Sequence, residues 1–138
     1  MSEADSATVP GDAPPWSVAL VDAELTAVSV HDGVLCIDLA ALPRPGAAGA
    51  ATLVVSQARL ELGQARWQGD PFACLGRIAA AEAVTSDGKT WPLQLPQTLE
   101  QAVNLVLESA HGGRLSIQAA SWSLRPRGAM RAVEIYPC

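Results

Sequence analysis

Apolar side chains recur at every second position through short runs of this chain, and the runs are closed by glycine, proline or aspartate. Successive side chains of an extended backbone point to opposite faces, so period two predicts strands, each with one face turned inward. Leu35, Ile37 and Leu39 share one such face, and His31-Asp32-Gly33 before them supplies a turn whose glycine can take positive φ. Further on, Ala58, Leu60 and Leu62 alternate with Gln57, Arg59 and Glu61, the pattern of a strand with one wet side. The expected fold is mainly β: an antiparallel two-layer sandwich or partly open barrel, with at most one or two short helices.

Other stretches constrain the chain less sharply. Residues 18–30 read as one strand with Val21, Ala23, Leu25 and Ala27 on a side, then a change of phase to Val28 and Val30 that asks for a bulge. Residues 42–51, with Pro43, Pro45, Gly46 and Gly49, lack periodicity and predict a surface loop. Gln68-Gly69-Asp70-Pro71 turns the chain, and the alanine-rich stretch from Ile78 to Val84 reads as a strand closed by Asp87-Gly88, although alanine also favours helix. In residues 97–110 both templates fit. Thr98-Leu99-Glu100-Gln101 has the form of a capping box before apolar residues at helical spacing, whereas Val103, Leu105 and Leu107 pair across His111-Gly112-Gly113 with Leu115, Ile117 and Ala119 as a hairpin. The expected structure is the hairpin, with a short helical turn near Thr98. Ala120, Trp122 and Leu124 then fall on the opposite parity, which asks for a second bulge, and residues 133–136 suggest a last edge strand.

A length of 138 residues suits one domain, expected over 16–138 behind a flexible lead-in of residues 1–15. With 49% hydrophobic and 17% charged residues the chain can offset the entropy of folding by burial. A formal net charge of −5 gives no field that would gather nucleic acid or anionic membranes, so neither is an expected partner. No apolar run has the roughly 18 residues of a spanning helix, and the Met1-Ser2-Glu3-Ala4-Asp5 start has no secretory pattern, so a cytoplasmic location is expected. Cys36, Cys74 and Cys138 have long, unrelated spacings and are expected as free thiols.

Trp16 followed by Val21-Asp22-Ala23-Glu24-Leu25, then an alternating strand, a second strand pair and a late Gly-Gly hairpin ending near Leu124, resembles small β-rich bacterial domains of the toxin-immunity and uncharacterised kind. In those a tryptophan precedes a His-Asp-Ala-Glu-like segment; here Val21 stands at the histidine position. The resemblance spans residues 16–124 by order of elements and implies a non-catalytic module that binds, and in the immunity case neutralises, a protein partner.

Candidate chemistry is sparse. Asp22, Glu24 and His31 mix carboxylates with imidazole and would make a small enzyme or small-ligand site if they converged. The competing reading puts Asp32 before Gly33 in an ordinary turn, His31 in solvent and Asp22 on a neighbouring backbone amide. No phosphate loop, nucleophile elbow or metal spacing is present, so no cofactor or metal is expected. Arg125, Arg127 and Arg131 form the one basic cluster, expected as a solvated edge or an ion-pair surface, with Pro126 discouraging strand addition from a neighbour. Four of the six aromatics are tryptophans; Trp67 and Trp91 stand beside turns, where an indole could anchor a partner protein. The leading expectation is a protein-binding module rather than an enzyme, with a homo-oligomer open to it through any exposed strand edge.

Overall fold

The computed structural model describes residues 15–44, 52–127 and 132–135. Its strands are β1 (Trp16–Ser17), β2 (Glu24–His31), β3 (Val34–Arg44), β4 (Thr52–Gly63), β5 (Arg66–Gln68), β6 (Gly76–Thr85), β7 (Gln94–Leu95), β8 (Gln97–Leu99), β9 (Val103–Ser109), β10 (Arg114–Ala119), β11 (Ser121–Pro126) and β12 (Ala132–Ile135). A single 3-10 turn, Pro71–Cys74, is the one helical element among the described residues. Every pairing is antiparallel, so the protein is mainly β as the alternation predicts.

Ten strands form one sheet along the path β5-β10-β9-β6-β2-β3-β4-β11-β8, with β12 also on β4, and β1 pairs with β7 apart from it. The path does not close into a barrel. Its middle is thin: β2 and β6 pair only through Glu24 with Arg77 and Leu25 with Gly76, which divides the sheet into a β2-β3-β4-β11-β8 arm and a β6-β9-β10-β5 arm. Each arm is apolar on one face. Leu35, Ile37, Leu39, Leu60, Leu62, Trp122 and Leu124 are buried in the first, and Ile78, Val103, Leu105, Leu107, Leu115 and Ile117 in the second. With no long helix among the described residues to cover either face, the arms cover one another, and their buried residues make a single cluster. A fully buried leucine in such a core contributes about 1.5–3 kcal/mol.

The β2–β3 hairpin turns at Asp32-Gly33, both with positive φ, and the phase change in β2 is a register shift between Leu25 and Ala27. β6 is a strand throughout, and residues 103–119 form the β9–β10 hairpin. Other expectations are corrected. Residues 18–23 are not strand, because Asp22 turns the backbone at φ +74° and β2 starts at Glu24. β3 runs on through Pro43 and Arg44, paired with Val54 and Leu53, so residues 42–44 are strand where a loop is expected; residues 45–51 lie outside the described residues. No helical turn forms at Thr98, which pairs with Ser123 in β8. The parity change at Ala120 is a crossing between arms rather than a bulge. β10 pairs with β9 and β5, β11 pairs with β4 and β8, and the Ala120 N–H donates to the Gly63 carbonyl at the corner (2.8 Å). Cys36 and Cys74 are buried free thiols, and burial pushes the Cys74 thiol up. Residues 1–14, Arg131 and Cys138 lie outside the described residues. No helix among the described residues is long and apolar enough to cross a membrane.

Candidate functional site

The strand β6 is paired on one side only for most of its length. On its β9 side the ladder runs from Ala80 opposite Glu108 to Thr85 opposite Val103. The Ser86 N–H donates to Ala102 across that ladder (3.1 Å), while the Thr85 N–H donates to Lys89 on the other side (2.7 Å). Backbone groups alternate in direction along a strand, so Glu82 and Val84 face β9 and Ala81 and Ala83 direct their N–H and C=O away from it. Among the described residues nothing pairs with those outward groups.

The edge is open because the chain that could cover it is held elsewhere. Asp22 donates to Ile78 (2.8 Å) and Ile78 donates to Ala23 (2.9 Å), which ties the start of β6 to the chain before β2. Residues 18–21 then diverge, with the Val18 N–H on the Leu93 carbonyl (3.1 Å) and the Ala19 N–H on the Pro43 carbonyl (2.9 Å). The gap is an apolar groove of about 220 Å³ lined by Val18, Ala19, Leu20, Val21, Ala81, Ala83, Trp91 and Leu93. Ala81 and Ala83 stand opposite the buried Leu107 and Leu105, so their side chains face inward, and their small size leaves the gap unfilled. Trp91 is fixed on two sides: its Nε1–H donates to Gln97 Oε1 (3.1 Å), and its ring meets Trp122 edge-on at 5.1 Å and 88°. A rigid aromatic wall loses little entropy when it accepts a ligand. Glu82 is exposed on the outer face of the same strand and has no ion pair among the described residues.

The other expected site residues are scattered. Trp91 lines the groove, whereas Trp67 pairs with Ile117 at the far edge and packs half-buried on the core beside a polar depression of about 290 Å³ formed with Arg66, Gln68, Ser116 and Gln118. Asp22 accepts from Arg77 Nη1 (2.8 Å), Glu24 is exposed at the start of β2, and His31 is exposed at its far end, roughly 20 Å further along the strand. Asp22, Glu24 and His31 therefore do not form one site. Among the described residues no group of three His, Cys, Asp or Glu is placed to hold a metal ion.

Of the basic cluster, Arg125 and Arg127 are ion-paired, with a partner the sequence did not reveal, and Arg131 lies outside the described residues. Asp38 of β3 accepts Arg59 Nε (2.7 Å) and Nη2 (3.3 Å) and lies 3.3 Å from Arg127 Nη1, and Arg125 bonds Glu61. The Arg59 hydrogen bond, helped by the Arg59 and Arg127 charges and opposed by partial burial, holds the Asp38 carboxyl below its usual range. A carboxyl whose folded pKa is depressed stabilises the fold above its unfolded pKa and loses that contribution as pH falls through the folded value. Asp38→Asn is therefore expected to cost about 1–2 kcal/mol in urea unfolding at pH 7, with the difference from the parent shrinking as pH falls through the depressed folded pKa, below the usual carboxylate range. A difference constant with pH would remove the carboxylate from the account.

In comparisons with protein-family models, curated proteins and solved structures, no match to this chain was found, so its fold and groove stand on their own geometry.

Proposed function

We propose that the chain is a non-catalytic protein-binding module that receives an extended segment of its partner along the open edge of β6. The observation that carries this reading is the coincidence of outward-facing Ala81 and Ala83 backbone groups with the apolar groove beneath them. An added strand gains main-chain hydrogen bonds from the edge and specificity from alternate side chains, which is the logic of strand addition. Its inward side chains enter the groove beside Trp91, and its outward ones lie next to Glu82, so the fitting segment alternates apolar residues with lysine or arginine. A second copy of β6 fits less well, because antiparallel pairing about Ala81 brings Glu82 of both copies onto one face. Neutralisation of a toxin in the cytoplasm, as the resemblance suggests, is one setting in which such a module would act.

The test uses a capped peptide alternating valine and lysine, titrated into the 15N-labelled protein. Saturable shifts centred on the Ala81 and Ala83 amides are expected. Ala83→Pro removes an outward N–H without touching the β9 ladder, so the fold should persist while affinity drops about tenfold or more. Equal affinity for the parent and Ala83→Pro, or shifts centred elsewhere, would overturn the proposal.

A further inference from the structure

The outer face of the other arm carries an arrangement that ion pairing alone does not account for. Arg59 of β4 stands directly opposite Arg125 of β11, a register in which like charges repel at close range. Arg127 follows two residues on, and its N–H is tied to the Gln57 carbonyl (3.2 Å), which keeps the chain alongside β4 past Pro126. Three guanidiniums thus gather around two carboxylates, Asp38 and Glu61, leaving a local positive excess on a chain of net charge −5. Arg59, Glu61, Arg125, Pro126 and Arg127 line a concavity of about 270 Å³.

The donors are unequally used. A guanidinium has five N–H groups in a planar fork. Arg59 gives Nε and Nη2 to Asp38 and is locked, whereas the ion pairs of Arg125 and Arg127 are each made through one terminal nitrogen, with both side chains largely accessible at 61% and 46%. Two forks with spare donors, facing a shared hollow and backed by a third fixed positive charge, match the oxygens of a tetrahedral dianion better than those of a lone carboxylate.

We propose that this hollow between β4 and β11 binds a phosphate dianion, free or as the monoester of a small molecule. Arg125 and Arg127 donate to the phosphate oxygens, Arg59 held by Asp38 supplies the fixed charge behind them, and the anion relieves the repulsion between Arg59 and Arg125. Glu61 competes for the Arg125 fork and must yield it. The site is on the arm away from the β6 edge and is independent of the strand-binding reading.

The experiment follows the arginine Nε–Hε signals while inorganic phosphate or phenyl phosphate is titrated at constant ionic strength, with chloride as control. Saturable shifts at Arg125 and Arg127 are expected with both phosphates and not with chloride; tighter binding of phenyl phosphate would identify a monoester as the source, and equal binding the free ion. Arg125→Gln is expected to weaken binding about tenfold, and Glu61→Gln, which removes the competitor, to tighten it about threefold or more. The gain in Glu61→Gln cannot arise from a damaged fold. Shifts equal to those with chloride, or affinity unchanged in both variants, would overturn the proposal.

Discussion

Trp122→Ala is expected to cost about 3–5 kcal/mol in equilibrium urea unfolding, a large share of the roughly 5–15 kcal/mol by which single domains are stable. Trp122 is fully buried in β11, between Leu62 of β4 and Leu99 of β8, and is the largest side chain wholly inside the core. Truncation removes its burial, leaves a cavity that the surrounding strands close only in part, and takes away the edge-on contact with Trp91, worth about 0.5–1.5 kcal/mol beyond its area. Because Trp91 lines the groove, the same change should blunt peptide binding even where the protein remains folded. Trp122→Phe is expected to be much milder. The Trp122 Nε1–H finds no acceptor among the described residues, so phenylalanine gives up volume and also removes a buried donor that costs free energy. Equal losses for the two variants would mean that volume at this position does not set stability.

Gly69→Ala is expected to cost about 2–5 kcal/mol, for two separable reasons. Gly69 sits at φ +106°, a region that L side chains rarely adopt. An added Cβ would also stand 2.4 Å from the Arg114 carbonyl oxygen, which is backbone of β10 and cannot swing aside. Gly33 is the control. It has φ +79° with nothing within 4 Å of its Cβ position, so Gly33→Ala should show only the conformational cost of about 1 kcal/mol. The difference between the two alanine variants, read from the same unfolding titrations, measures how tightly the turn before the 3-10 segment is pressed on β10. Indistinguishable variants would mean that β5 and β10 yield freely.

Much of this fold is legible in period two, because burial on one face is a property of each strand by itself. Leu35-Ile37-Leu39 and Ala58-Leu60-Leu62 alternate inward as read, and the change of phase after Leu25 is a true register shift. Residues 97–110 fit two templates for a physical reason. The capping-box pattern at Thr98 is a local preference, and pairing with Ser123, distant in the chain, overrides it. The turn at Asp22 is hidden because a left-handed aspartate inside an apolar alternation leaves no mark on its neighbours. The sequence brings Trp91 forward as a binding residue. It is silent about Ala81 and Ala83, whose part in the site lies in being too small to fill a gap created by residues 18–21. The opposition of Arg59 and Arg125 is equally hidden, since it depends on the register between strands more than sixty residues apart. Sites made by juxtaposition and absence carry no motif.

Amide hydrogen exchange along β6 tests the central claim most directly, since strand addition requires that this edge be unpaired. The account predicts rapid exchange at Ala81 and Ala83 and strong protection at Glu82 and Val84, whose N–H groups face β9. Protection of all four to the same degree would show that the edge is already covered, and would contradict it.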